Sequence, residues 1–165
     1  MYEDYLSFYK KDIITGLDFN ISQIQPSSVD LTLSYECYEI KTSFLSPNNK
    51  VRDKIKKLYV KKINLKKPKI LNKNKTYIVR LNEKLTLNST IKGHCNPKSS
   101  TGRLNIFCRT ILDYCDEYEK IPKNYCGEMF IEITTRSFDI MLSEGDRLNQ
   151  MRLTKHDHNY LSDKK

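Results

Sequence analysis

The stretch NPKSSTGRLNIFCR, residues 96–109, holds residue types that bind phosphate in many proteins. Small residues stand between two basic ones, in the order Lys98, Ser99, Ser100, Thr101, Gly102 and Arg103. A phosphate can approach such a segment closely and accept hydrogen bonds from its backbone N–H groups and hydroxyls. The lysine adds charge, and the guanidinium of the arginine can hold two oxygens at once. The stretch therefore predicts either a phosphate-binding loop or a plain turn of small polar residues.

Three further stretches place polar side chains beside turns. They are QPSSVDLTL with Asp30, IPKNYCGEMFIEI with Tyr125 and Glu132, and EGDRLNQMRL with Arg147 and Gln150. A carboxylate such as Glu132 on a strand can act as a general base toward water, or it can form a structural ion pair. Asp30 likewise either belongs to a site or bonds to the neighbouring backbone.

Zinc chemistry has little support in the sequence. One catalytic zinc signature combines an H-x-E element with P-C-x-x-C. Here His94 is followed by Cys95 and Asn96, and no two of the five cysteines are three residues apart. We therefore predict no zinc and no protein-bound metal site.

Composition bounds the class of protein and its partners. The chain has 165 residues, enough for one domain over 1–165, with a core at about 21–153 and a polar tail at 154–165. Its net charge of +9 fits either an anionic partner or a codon bias toward lysine. No apolar run could span a membrane and no secretory signal is visible, so we expect a cytoplasmic protein with reduced cysteines and no membrane partner.

Hydrophobic periodicity predicts the elements that would position these residues. We expect a helix over 3–16, a half-buried strand beginning at Val29, and a short surface helix over 51–58. The lysine-rich segment 50–75 is interpreted as a solvated face, with nucleic-acid binding as the alternative. Short apolar or alternating runs follow, at 75–81, 83–87, 89–95, 104–112, 127–135, 137–143 and 147–153. That spacing indicates a mostly β fold, a jelly roll or barrel with one or two short helices.

In order and spacing, the four polar stretches resemble the motifs of the trimeric dUTPase and dCTP deaminase superfamily. SVDL is similar to its first motif, PKSSTGRL to the second, IPKNYCGEMFIEI to the third and GDRLNQ to the fourth. The resemblance covers about residues 21–153. Glu132 stands five residues after Gly127, where dCTP deaminases carry their catalytic glutamate. The longer strings resemble most the N-terminal half of the long bacterial deaminases, which consist of two fused halves.

The resemblance implies hydrolytic deamination of dCTP to dUTP and ammonia, without a metal to activate the water. Glu132 would take a proton from water and deliver it first to N3 and later to the leaving amine. Ser99 would help to hold the water, and Arg103 would lie by Glu132 and the phosphates. A homotrimer is implied, and so is Mg²⁺ arriving with the triphosphate. The implied substrate-binding residues are Lys98, Ser99, Ser100, Thr101, Gly102, Arg103, Tyr125, Phe130, Ile131 and Gln150.

Two departures from the family pattern keep other functions open. Pro122 stands where single-domain deaminases carry an aspartate, so a contact to sugar or base is in doubt. The tyrosine-, lysine- and glutamine-rich segment that closes over the nucleotide does not follow Leu153. A separate C-terminal half would then complete the enzyme, or the chain is a non-catalytic nucleotide-binding subunit. A dUTP diphosphatase is a further alternative, although the glycine-rich fifth motif of those enzymes is missing from this sequence.

Overall fold

The chain folds mainly into antiparallel strands, and the computed structural model describes residues 2–16 and 19–155. This part of the chain contains the strands β1 (Ile14–Gly16), β2 (Val29–Leu31), β3 (Leu33–Ile40), β4 (Tyr59–Asn64), β5 (Lys69–Leu71), β6 (Thr76–Thr86), β7 (Ile91–Pro97), β8 (Ile106–Leu112), β9 (Lys120–Ile121), β10 (Cys126–Thr135), β11 (Ile140–Leu142) and β12 (Asn149–Lys155). Its helices are α1 (Tyr2–Lys10), α2 (Val51–Leu58) and α3 (Ser99–Arg103), with a 3₁₀ turn at Ile21–Gln23. The predicted mostly β class is confirmed, with one more short helix than expected.

Three antiparallel sheets arrange these strands. The largest has the order β4-β3-β6-β10-β8, with β1 also paired to β6; the second has the order β2-β12-β7-β9; the third joins β11 to β5. Buried side chains from both larger sheets form one core, to which Leu33, Val79, Ile131, Cys95 and Met151 contribute. The core therefore lies where the two larger sheets face each other.

The second face of the largest sheet carries a separate apolar cluster. Neighbouring residues on a strand point to opposite faces, so Ile78 and Phe130 lie in this cluster while Val79 and Ile131 lie in the core. Val51 and Ile55 of α2 cover the cluster. The helix predicted at 51–58 is confirmed, because its two apolar positions at helical spacing are the buried ones.

The helix predicted over 3–16 is wrong beyond Lys10. Asp12 adopts the left-handed conformation at φ 55°, and the N–H of Ile13 donates to the carbonyl of Phe8 at 2.9 Å. This hydrogen-bond pattern ends a helix, and it occurs here at an aspartate rather than at Gly16. The chain then forms β1, in which Ile14 is fully buried.

Three other local predictions change in the structure. The strand predicted from Val29 is divided into β2 and β3 and is buried on both faces as far as Ser34, since Asp30, Thr32 and Ser34 are also buried, whereas Tyr35 is exposed. The runs at 75–81 and 83–87 belong to one strand, β6. Residues 99–103, predicted as a loop, form a single helical turn, α3. The predicted tail begins inside β12, and residues 156–165 lie outside the described part of the chain.

Candidate functional site

Helix α3 is anchored to the segment before β12. The backbone N–H of Lys98 and the hydroxyl of Thr101 both donate to the carbonyl of Leu148, each at 2.9 Å. Thr101 is buried, whereas Ser99 and Ser100 are exposed. Neither of these serine hydroxyls has a hydrogen-bond partner within the described residues. The first turn of a helix also leaves backbone N–H groups without intrahelical acceptors, so α3 presents several donors to a ligand.

The start of α3 borders a cleft of about 320 Å³, which we call the α3 cleft. Its lining residues are Gln25, Ser28, Asp30, Lys98, Ser99, Ser100 and Gln150. The pairing of β12 with β2 places Gln150 directly opposite Asp30, and Ser28 donates to Gln150 Oε1 at 3.2 Å. Residues from the first, second and fourth predicted motifs therefore meet in one cleft.

Asp30 is the acidic residue of the α3 cleft. Its side chain is only 3% exposed, and Oδ2 accepts a hydrogen bond from Lys98 Nζ. Arg147 Nη1 lies 3.8 Å from the same oxygen, so two cations balance this buried carboxylate. Asp30 Oδ1 has no hydrogen-bond partner. The ammonium group of Lys98 is thus paired with Asp30.

Glu132 lies in a different cleft, of about 480 Å³, on the face of the largest sheet; we call it the Glu132 cleft. The register of β10 and β8 sets Glu132 directly opposite Arg109. Glu132 Oε1 accepts hydrogen bonds from Arg109 Nη2 at 2.5 Å and from Arg109 Nε at 3.2 Å. The carboxylate is 3% exposed, and its Oε2 has no hydrogen-bond partner. One oxygen is therefore fixed in an ion pair while the other is free to bond to a ligand or a water.

Arg109 is held from a second side by an aromatic ring. Its guanidinium carbon lies 4.0 Å from the centroid of the Tyr118 ring, a cation–π arrangement that limits its movement. Partial burial would lower the pKa of Arg109, but the hydrogen bond to Glu132 and the charge of that carboxylate outweigh burial and raise it. Arg109 therefore stays charged beside Glu132.

The predicted site residues fall into three groups. Lys98, Ser99, Ser100 and Gln150 line the α3 cleft. Gly102 and Glu132 line the Glu132 cleft, so α3 borders both clefts. The remaining predicted residues line neither of them; they are Thr101, Arg103, Tyr125, Phe130 and Ile131.

Four of the residues that line neither cleft are buried. Thr101 bonds to the backbone of Leu148, and Phe130 and Ile131 belong to the two apolar clusters. The hydroxyl of Tyr125 donates to the carbonyl of Glu128, and burial raises the pKa of Tyr125. In this single chain these side chains support the fold around the clefts.

Arg103 is exposed on α3, and within one chain it does not contact Glu132. Within one chain, Arg109 pairs with Glu132. The expectation that Arg103 lies by the glutamate concerns a site shared between subunits, and it stays a prediction. The sequence analysis missed Arg109 as a site residue. The identity of its partner depends on the register between β8 and β10, and one sequence does not give that register.

No group of three or more His, Cys, Asp or Glu side chains that could hold a metal ion occurs within residues 2–16 and 19–155. The cysteines at 37, 95, 108, 115 and 126 are free thiols, and burial raises the pKa of Cys37 and Cys108 to about 12. A buried thiol with so high a pKa is a poor metal ligand and a poor nucleophile.

The model of one protein family matches residues 5–157, nearly the whole chain. That family is described as the 2'-deoxycytidine 5'-triphosphate deaminase (DCD) N-terminal domain. This chain belongs to the dCTP deaminase family. This match confirms the resemblance seen in the motifs, including the resemblance to the N-terminal half of a deaminase.

Individual relatives agree with the dCTP deaminase family. The chain is 28% identical over 134 residues to the "dCTP deaminase, dUMP-forming" of Coprothermobacter proteolyticus, covering 79% of this chain and 67% of the relative. The crystal structure of the dCTP deaminase from Agrobacterium tumefaciens matches with a TM-score of 0.90 and 35% identity. That match covers 93% of this chain and 47% of the other, so this chain spans about half the length of that deaminase.

A more distant structure shows the fold alone. Native EIAV dUTPase matches with a TM-score of 0.54 at 15% identity, over 92% of this chain and 94% of the other. The dUTPase-like fold predicted from the motifs is therefore confirmed.

None of the helices in the described part of the chain is long and apolar enough to cross a membrane.

Proposed function

We propose that this dCTP deaminase family member hydrolyses dCTP to dUTP and ammonia, with Glu132 as the general base. The unbonded Oε2 of Glu132 is the observation that carries the proposal. A buried carboxylate oxygen without a partner costs about 1–3 kcal/mol, which a bound water or substrate would recover. Arg109 fixes the other oxygen and keeps the carboxylate in place.

The free oxygen of Glu132 supports the following order of proton transfers. Oε2 of Glu132 takes a proton from water as the water oxygen attacks C4 of cytosine. The same carboxyl delivers that proton to N3 and transfers the second proton of the water to the amine, which leaves as ammonia. Ser99 supplies a free hydroxyl that would orient the water, as the family resemblance implies. No metal ion is required to form the nucleophile.

The α3 cleft is proposed as the triphosphate site. Ser99 and Ser100 offer free hydroxyls there, and Lys98 can turn from Asp30 toward a phosphate. Arg103 on the same helix is charged, exposed and without an ion-pair partner in the described residues, so it is available to fork onto two phosphate oxygens. Mg²⁺ would arrive with the triphosphate, since the described residues hold no cluster that would bind it alone.

A homotrimer is proposed because the motifs are divided between two clefts. Asp30, Lys98 and Gln150 lie in the α3 cleft, whereas Glu132 lies in the Glu132 cleft. In this superfamily the sites lie between subunits, so the glutamate of one copy would complete the phosphate site of another. Leu104, which is 53% exposed, and Phe107, which is 56% exposed and lines the Glu132 cleft, offer apolar surface for such a contact.

A companion half is the further part of the proposal. The Agrobacterium deaminase is about twice as long as the region that this chain matches. A separate polypeptide corresponding to the other half would supply the segment that closes over the nucleotide. The same observation favours a second candidate function, a nucleotide-binding subunit that is silent without its companion.

The experiment that tests the proposal follows two products from two substrates. Purified chain is incubated with dCTP and separately with dUTP, and ammonia and pyrophosphate are each measured, with and without the companion half. Ammonia from dCTP supports the deaminase. Pyrophosphate as well would extend the proposal to the dUMP-forming reaction named for the Coprothermobacter relative. Nucleotide binding without either product, even with the companion, would favour the non-catalytic subunit.

A further inference from the structure

A third cleft, about 740 Å³ in volume, lies on the sheet β2-β12-β7-β9 and shares no lining residue with the α3 cleft or the Glu132 cleft. Five of its lining residues are basic, namely Lys92, His94, Lys120, Lys123 and Arg152. No acidic residue of the described chain lines it. We call it the basic cleft.

Strand pairing brings these basic side chains together on one face. His94 of β7 is directly opposite Arg152 of β12 on one side and Lys120 of β9 on the other. Lys92 stands two residues from His94 on the same strand. Cross-strand neighbours are about 5 Å apart and alternate residues about 7 Å apart, so these basic side chains form a compact grid. The lysines and the arginine of the grid surround the imidazole of His94, which concentrates positive charge on this face of the sheet.

Nearby acids neutralise only part of this charge. Glu117 forms an ion pair with Lys120. Burial raises the pKa of Glu119, although hydrogen bonds from Thr110 and Asn149 counteract this rise. His94 lowers the pKa of Glu119 by a smaller amount, so this carboxyl lies near the imidazole. Three residues are left without an ion-pair partner in the described part of the chain; they are Lys92, Lys123 and Arg152.

Two lining residues of the cleft are apolar. Ile121 and Pro122 line it beside the basic side chains. A ligand that fits must therefore be small enough for the cleft and must carry several negative charges at the spacing of the grid. Linked phosphate groups have that property, and lysine and arginine are their usual partners.

We propose that the basic cleft is a second anion site, which binds a chain of phosphates, either free oligophosphate or the phosphate chain of a nucleotide. The proposal does not depend on deamination. It does not depend on phosphate binding in the α3 cleft either, because the two clefts share no lining residue.

The test is calorimetry with sodium tripolyphosphate at low ionic strength, on the Lys98→Ala variant, so that the α3 cleft contributes little. Adding Lys92→Ala and Lys123→Ala should weaken the remaining binding by at least about tenfold, because two charge-assisted contacts are lost. Adding Lys61→Ala and Lys67→Ala removes the same net charge from exposed positions elsewhere and should leave binding unchanged. Thermal unfolding checks that all variants are folded.

Competition experiments distinguish a nucleotide from free oligophosphate as the ligand. Competition by ATP for the same site would point to a nucleotide, and lack of competition would point to free oligophosphate. Equal tripolyphosphate binding by the Lys92→Ala, Lys123→Ala variant and its matched control would overturn the proposal. So would a short single-stranded DNA that binds through Lys92 and Lys123 while tripolyphosphate does not bind, since the cleft would then serve nucleic acid.

Discussion

Arg103 and Arg109 differ in the contacts that their side chains make. The guanidinium of Arg109 contacts Glu132 and the Tyr118 ring, whereas Arg103 is exposed and has no ion-pair partner in the described residues. Only Arg103 is therefore available to a ligand without breaking an existing contact. The segment from Lys98 to Arg103 thus contains one lysine that is paired with Asp30 and one arginine without an ion-pair partner in the described residues.

Arg103→Ala should weaken dCTP binding by at least about tenfold, the effect of losing a charge-assisted hydrogen bond of about 1.5–3 kcal/mol. The free energy of unfolding should not change, because the side chain supports no contact in the fold. Calorimetric titration with dCTP measures the first and urea unfolding the second. Lys67→Ala removes one exposed charge elsewhere and serves as the control. Unchanged dCTP affinity in Arg103→Ala would remove Arg103 from the phosphate site.

At the scale of elements, an ionic network joins α2 to the largest sheet. Arg52 of α2 donates to Glu36 of β3 at 2.8 and 3.1 Å and to Glu128 of β10 at 2.5 and 3.0 Å. Arg80 of β6 donates to Glu36 at 3.2 Å. Burial would raise the pKa of Glu36, but hydrogen bonds from Arg52 and Tyr38 and the charges of Arg52 and Arg80 lower it to about 2.

The network predicts a loss of stability in acid. Since the folded pKa of Glu36 lies below its ordinary 4.5, its contribution is fully present above pH 4.5 and decreases as the pH falls toward 2. The contribution should be about 3 kcal/mol at pH 6 and about 1 kcal/mol at pH 3. Urea unfolding of wild type and Glu36→Gln at both pH values measures it. A difference between the two proteins that is the same at pH 3 and pH 6 would contradict the assignment.

Packing under α2 gives a second prediction at this scale. Ile55 is 3% exposed and touches the cluster that contains Ile78 and Phe130. Ile55→Ala should lower the free energy of unfolding by about 2–5 kcal/mol, through lost apolar burial and the cavity left behind. Lys57→Ala, two residues further on the exposed side of the helix, should have little effect. Comparable losses in both variants would mean that α2 does not dock through Ile55.

Elements with a strong periodic signal were predictable from sequence, and contacts between elements were not. Helix α2 was predictable because Val51 and Ile55 stand at helical spacing among lysines. The end of α1 was missed because an aspartate, Asp12, adopts the backbone conformation usually taken by glycine. The partner of Glu132 was missed because strand register depends on the whole sheet.

At the scale of the molecule, the central feature is that the predicted motifs meet in two clefts rather than one. A homotrimer would unite them, and light scattering at micromolar concentration should give a mass three times the 19.5 kDa of one chain. Phe107→Glu should reduce that mass, because a charge would be buried in the proposed contact. A monomer that does not change when dCTP is added would contradict the shared site.

The trimer prediction also accounts for the division of the predicted site residues between two clefts of one chain. Apart from α3, which borders both clefts, the residues proposed to bind phosphate and the glutamate are positioned by different sheets. Assembly of copies, or a companion half, would then set the distance between phosphate and base.

The most direct measurement is the turnover of dCTP by Glu132→Gln, alone and with the companion half. Glutamine keeps the shape of the side chain and a hydrogen bond, but it cannot accept the proton from water. The account predicts that ammonia release falls by about 10²–10⁴, the usual effect of a lost general base, while dCTP still binds. Deamination near the wild-type rate in folded Glu132→Gln would contradict the account.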